Sequence, residues 1–208
     1  MSTSASRERA AKADWALYFV TDSAMVGGVE KVPAQVAEAI EGGAHVIQVR
    51  DKDLDDGAFV ELARQVRDVA REVGEQHGRE ITVIVNDRVE AARELGLDAH
   101  VGQGDMPASQ VRRLLGAEAI IGVSVSNAEQ LEGVIAEGSA DVVGIGPIWS
   151  TATKTDTDPA VGLEQLASLT TRAHEVGIVA VAIGGISIRN ASEVAATGCD
   201  GTVSYTHL

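Results

Sequence analysis

From Ala16 onward, short apolar runs alternate with longer amphipathic stretches. The runs LYFVTD, HVIQVRD, ITVIVND, AHVGQ, AIIGVSV, DVVGIGP and IVAVAIGG are almost continuously apolar and rich in β-branched residues. That composition suits parallel strands covered on both faces. Between them, apolar positions recur every three or four residues. From Asp55 to Val73, the residues Phe59, Leu62, Val66, Val69 and Val73 form one stripe, as on a helix that buries a single face. Pro33 and Pro107 stand near the starts of two such stretches, where a missing N–H costs nothing. Gly42-Gly43, Gly74, Gly96, Gly116, Gly138, Gly177 and Gly198 follow the helical stretches, where glycine can form the left-handed cap.

Seven strand–helix units are read in this way, and an eighth strand begins at Cys199-Asp200-Gly201. Strict alternation demands a parallel sheet with right-handed crossovers, either open and doubly wound or closed as a (β/α)8 TIM barrel. Eight units favour the barrel, for which 208 residues is compact. No linker or low-complexity block divides the chain, so a single barrel domain is expected over residues 15–202. Residues 1–14 read as a flexible polar extension. Residues 203–208, VSYTHL, carry no helical pattern and read as an atypical tail, truncated or foreign, that leaves the barrel without its last helix.

Charge sharpens the picture. With 31 acidic and 17 basic side chains the formal net charge is −14, which argues against nucleic acid or an anionic membrane as partner. No apolar run reaches the roughly 18 residues needed to span a bilayer, and the first 14 residues lack the apolar core of a secretory signal, so a cytoplasmic location is expected. The lone Cys199 excludes an internal disulfide and a Cys-based metal site. Acidity also weighs against phosphorylated substrates, unless the few cations are gathered in one place.

In parallel α/β folds the active site lies at the carboxyl ends of the strands. After the second run come Gln48, Val49, Arg50, Asp51 and Lys52. Alternation puts Gln48, Arg50 and Lys52 on one side, and a guanidinium fork beside an ammonium suits a diphosphate; the alternative is an ion pair with Asp51 or Asp53. Asn86-Asp87 and Gly102-Gln103-Gly104-Asp105 follow the third and fourth runs. Neighbouring strand ends would bring Asp87 and Asp105 together, where they repel unless a cation joins them. Mg2+ takes one or two carboxylates and completes its shell with water and phosphate; alternatively, Asp87 caps the following helix. Ser124, ending the fifth run, either donates to a phosphate or caps a helix. Thr151, Thr153 and Lys154 on the loop after the sixth run resemble an anion-binding lid, or simply a solvated loop. Gly184-Gly185 would let a phosphate approach backbone N–H groups, with a helix starting near residues 187–190 presenting its positive end. His45, His100 and His174 fall near strand starts or in a helix, away from the reactive face, and read as structural. Cys199 reads as a small buried residue.

Taken together, Gln-Val-Arg-Asp-Lys, Asn-Asp, His-Val-Gly-Gln-Gly-Asp-Met, Gly-Val-Ser, Gly-Pro-Ile-Trp-Ser-Thr-Ala-Thr-Lys and Ile-Gly-Gly-Ile resemble thiamine-phosphate synthase from about Leu17 to Gly201. The resemblance implies a (β/α)8 barrel transferase with two phosphorylated small-molecule substrates. It would join hydroxymethylpyrimidine diphosphate to a thiazole phosphate, using Mg2+ and releasing pyrophosphate. By motif, Gln48, Val49, Arg50, Asp51, Lys52, Asn86, Ser124 and Lys154 would hold the pyrimidine diphosphate, and Asp87 and Asp105 the Mg2+. Thr151, Ala152, Thr153 and Gly185 would hold the thiazole phosphate. Departure of pyrophosphate precedes attack by the thiazole nitrogen in this family, so Arg50, Lys52, Lys154 and Ser124 would serve the leaving group rather than a base. A backbone Ile-Ser step in the family's last strand falls here on Tyr205-Thr206, a departure from the pattern. A thiazole tautomerase-like relative and a non-catalytic barrel binding thiazole or thiamine phosphates are the alternatives, and a homo-oligomer is left open.

Overall fold

Every apolar run contains a strand, and Gly201 opens one more. A computed structural model describes residues 4–149 and 159–204. Its strands are β1 (Leu17–Val20), β2 (Val46–Val49), β3 (Thr82–Asn86), β4 (Asp98–Val101), β5 (Ile121–Val125), β6 (Val142–Ile145), β7 (Val179–Ile183) and β8 (Gly201–Ser204). Each pairs in parallel with the next, and the sheet closes into a barrel. Closure is made by Leu17 opposite Thr202, Tyr18 opposite Val203 and Phe19 opposite Ser204. Val203 and Ser204 therefore belong to the sheet, which corrects their reading as a foreign tail: two paired residues are too few to show a period. Residues 205–208 lie outside the described residues.

The strand period of two divides the apolar side chains between two cores. Tyr18, Val20, Val46, Ile84, Val142 and Val181 pack together inside the barrel. The alternate positions, such as Phe19, Ile47, Val85 and Ile121, pack outward against the helices. These are α1 (Ser4–Lys12), α2 (Ser23–Val26), α3 (Val32–Glu41), α4 (Asp56–Gln76), α5 (Val89–Leu95), α6 (Ala108–Leu115), α7 (Ala128–Glu137), α8 (Gly162–Glu175) and α9 (Ala191–Ala195). Asp55 starts α4, its side chain accepting from the Ala58 N–H at 2.8 Å, in the manner of an N-cap. The expected stripe then buries Phe59, Leu62 and Val66 with Ala63 and Ala70, each large side chain contributing about 1.5–3 kcal/mol. Val69 and Val73 are half-buried at its edge.

The N-terminal stretch departs from expectation. Residues 4–12, expected as part of a loose extension, form α1, which closes the amino-terminal end of the barrel. Ser6 Oγ donates to Asp141 Oδ1 at 2.9 Å, and the Arg9 guanidinium grips both oxygens of Asp98 at 3.0 and 3.1 Å. Ala10 is buried in the inner core beside Trp15, whose Nε1 donates to the Ala10 carbonyl at 2.7 Å. Polarity alone misled here, because these polar side chains serve buried acceptors at the base of the barrel. No helix among the described residues is long and apolar enough to cross a membrane.

Candidate active site

Four successive strand ends, β2 to β5, carry the polar residues singled out by sequence. Gln48 points into the barrel, nearly fully buried, and its Nε2 donates to the Tyr18 hydroxyl at 2.7 Å. Arg50 follows β2 with its backbone clamped by Thr21: its N–H donates to Thr21 Oγ1 at 3.0 Å, and that hydroxyl lies 3.2 Å from the Arg50 carbonyl. Its side chain is 16% exposed, and the guanidinium stands 4.0 Å from Asp22. Lys52 is exposed at the rim.

Asp51 is turned away from any anion. Its carboxylate accepts from the N–H groups of Asp53 and Leu54 at 2.9 and 3.0 Å and from Ser23 Oγ. Burial pushes its carboxyl up, but these hydrogen bonds and the Arg88 charge outweigh it and hold the group below its usual range. The side chain shapes the loop that presents Arg50 and Lys52, leaving only the Asp51 backbone for an anion.

Asn86 ends β3, and its Nδ2 donates to Asp87 Oδ2 at 2.6 Å. Asp87 has a φ of 58°, a left-handed conformation that Asp and Asn tolerate better than other side-chain-bearing residues. The helix-capping alternative does not hold for it: the cap position of α5 is Arg88, with no side-chain cap bond. Asp105 arrives from the β4–α6 loop, fixed by the Gly102 N–H at 2.8 Å. Desolvation among the packed loops, and next the Asp105 carboxylate, push the Asp87 carboxyl up to about 6, against the pull of Asn86 and Arg50. The expected pair of carboxylates is thus brought together. Among the described residues no cluster of three or more His, Cys, Asp or Glu side chains could hold a metal. Two carboxylates with oxygen ligands only, crowded enough to raise a pKa, fit a Mg2+ that takes the rest of its shell from water and phosphate.

Ser124, on β5, does not cap α7; Asn127 does so, accepting from the Gln130 N–H at 2.9 Å. Ser124 Oγ instead lies 2.9 Å from His100 Nε2. His100 is the residue that sequence reasoning missed. It sits inside the barrel on β4, 8% exposed, rather than at a strand start away from the chemistry. The signal was available in the alternation, since Ala99 and Val101 face the helices and His100 must then face inward.

At the end of β7, a Cβ on Gly184 would lie 2.7 Å from Pro147 Cα, and one on Gly185 2.8 Å from Trp149 Cβ. These glycines let the β6 loop pack on the β7 loop, joined by the Ile148 N–H to the Ile183 carbonyl at 2.9 Å. Asn190 Nδ2 donates to the Gly185 carbonyl at 3.0 Å and fixes that backbone. The helix beyond begins at Ala191, directly after the expected 187–190, with Asn190 at its cap position. Thr151, Ala152, Thr153 and Lys154 lie outside the described residues, as do Tyr205 and Thr206.

Residues 17–207 match the family model described as thiamine monophosphate synthase. The thiamine-phosphate synthase of Syntrophomonas wolfei is 38% identical over 94% of this chain and 88% of its own length. The thiamine biosynthesis multifunctional protein ThiED of Corynebacterium glutamicum is 46% identical over 90% of this chain, which spans 25% of that longer relative. Among solved structures, the thiamine phosphate pyrophosphorylase from Pyrococcus furiosus superposes with a TM-score of 0.77 at 31% identity, covering 92% of this chain and 86% of that one.

Proposed function

The chain belongs to the thiamine monophosphate synthase family, and from that premise we propose that it is a transferase joining hydroxymethylpyrimidine diphosphate to a thiazole phosphate, with release of pyrophosphate. The observation that carries this reading is the convergence of Gln48, Arg50, Asn86 and Ser124 at one barrel mouth, around the Asp87–Asp105 pair.

The bond changes ask little of a general base. The carbon–oxygen bond between the pyrimidine methylene and the diphosphate breaks, and its electron pair leaves on pyrophosphate. The thiazole nitrogen then uses its own lone pair to form the carbon–nitrogen bond, and no proton is lost from it. What such a reaction needs is charge neutralisation and donors at the leaving group. Arg50, held by Thr21 and largely shielded from water, offers a bidentate fork, and Ser124, Gln48 and Asn86 offer neutral donors. Lys52 adds charge at the rim, and Lys154 would add more on binding. Asp87 and Asp105 would hold Mg2+, which when bound supplies further positive charge to the diphosphate. Thr151, Ala152, Thr153 and the backbone at Gly185 would receive the thiazole phosphate.

Incubation with both substrates and Mg2+, followed by measurement of pyrophosphate, tests the reading. Release that requires thiazole phosphate is expected, and Arg50→Ala should lower kcat/KM by about 100-fold or more, as for loss of a charge-assisted pair in a shielded site. Tight binding of both substrates with no release, or wild-type turnover by Arg50→Ala, would overturn it.

A further inference from the structure

We propose that His100 is a positioning residue that acts through Ser124, donating its Nε2–H to the hydroxyl oxygen so that the hydroxyl proton is left for an oxygen of the substrate diphosphate. The inference rests on the reading of Ser124 given above.

The barrel interior is cleared for this ring on two neighbouring strands. His100 lies opposite Gly122 on β5, and Ser124 lies opposite Gly144 on β6. A Cβ on Gly122 would sit 2.3 Å from His100 Nδ1, and one on Gly144 3.2 Å from His100 Cε1. Any side chain at 122 would displace the imidazole, and one at 144 would crowd it. Through this gap Nε2 reaches Ser124 Oγ at 2.9 Å. The serine is also held from behind, its carbonyl accepting from Gln103 Nε2 at 2.6 Å.

A serine hydroxyl has one proton and two lone pairs. If the imidazole accepted that proton, Ser124 would have no donor left for an anion. If the imidazole donates instead, the hydroxyl proton is turned outward and the O–H bond is polarised, which strengthens it as a donor. Only the second arrangement serves a diphosphate. His100 also ties this donor to the carboxylate side of the mouth, because its own carbonyl accepts from the Asp87 N–H at 2.9 Å.

The test compares Ser124→Ala, His100→Leu, His100→Gln, His100→Asn and the Ser124→Ala/His100→Leu double variant. Each is read as kcat and KM for pyrophosphate release, as calorimetric affinity for inorganic pyrophosphate with Mg2+, and as Tm. Ser124→Ala and His100→Leu should each lower kcat/KM by roughly 10-fold or more, and the double variant should be no worse than either single one. His100→Gln, whose amide N–H extends to about the position of Nε2, should recover most of the loss. His100→Asn, whose amide falls short of Ser124, should not. That Gln–Asn contrast decides the matter even if His100→Leu does not fold. Losses that multiply in the double variant, or a glutamine no better than asparagine, would overturn the role of His100 while leaving Ser124 in place. An unimpaired Ser124→Ala would overturn both the role of His100 and the reading of Ser124 beneath it.

Discussion

Asp87 combines a left-handed backbone with a carboxyl raised from 3.8 to about 6, chiefly by desolvation and then by Asp105. A raised folded-state value means that the fold binds this proton more tightly than the unfolded chain does. Stability therefore falls as pH rises from about 4 through 6, and stays lower above that range. Asparagine removes the charge and still tolerates the backbone. Metal-free Asp87→Asn should accordingly melt higher than wild type at pH 8 and alike at pH 4. Mg2+ should raise the Tm of wild type at pH 8, by binding the folded state, and raise it much less at pH 5 or in Asp87→Asn. Thermal scans at pH 4, 5 and 8 check both statements, and a lower Tm for the variant at pH 8 would contradict the first. At this scale alternation made Gln48 legible as sharing a side with Arg50 and Lys52, while Ser124 stood between a phosphate donor and a helix cap. It did not show that the Asp51 carboxylate is consumed by the N–H groups of Asp53 and Leu54, because a turn within a loop has no period to read. His100 stands between Ala99 and Val101, so its inward direction was carried by the alternation; what no sequence pattern carried is that its ring meets Ser124 on the next strand.

Helix α1 shows what the elements add to the residues. Its partners lie far away in sequence: Arg9 pairs with Asp98 at the start of β4, and Ser6 with Asp141 just before β6. Asp141 in turn meets the buried Arg112 of α6 at 2.5 Å. Burial pushes the Asp98 carboxyl up, while the hydrogen bonds and charge of Arg9 oppose it. Without Arg9 the buried carboxylate would keep the Ile120 N–H at 2.7 Å as a donor but lose its counter-charge. Arg9→Ala should therefore cost about 1–3 kcal/mol at pH 7, and less at pH 4, because acid moves Asp98 toward its neutral form, which no longer needs the guanidinium. Denaturant unfolding at the two pH values measures this difference. An equal loss at both would show that Arg9 contributes through contacts that do not titrate, its packing and its Nη1 hydrogen bond to the Glu118 carbonyl at 2.7 Å. The amphipathic helices of the barrel wall were legible because each buries a stripe. A helix that docks mainly through polar side chains and one buried alanine leaves no such stripe, which is why α1 read as an extension.

Across the whole molecule, net charge and topology are both resolved by placement. A chain of charge −14 still concentrates Arg50 and Lys52 at one mouth, so bulk acidity does not decide what that mouth binds. Eight alternating units left a closed barrel and an open sheet both standing, and the pairing of β8 with β1 decides between them. That closure depends on a glycine with no local signature. A Cβ on Gly201 would lie 1.6 Å from the Trp15 carbonyl oxygen and 2.4 Å from its carbon, both backbone atoms of the segment leading into β1. Neither can retreat, because Trp15 is buried in the inner core and the adjacent Ala16 carbonyl accepts from the Thr202 N–H at 3.2 Å. Gly201→Ala must push the first and last strands apart, at a cost of about 3 kcal/mol or more. For a chain of this size that is a fall in Tm of roughly 6–12 °C. Gly133, exposed within α7 with open space at its Cβ, makes the opposite case. There the same substitution should add about 0.5–1 kcal/mol through helix propensity. Circular dichroism melts of the two variants side by side separate the effects. If Gly201→Ala melted with wild type, the barrel would not depend on this contact to close.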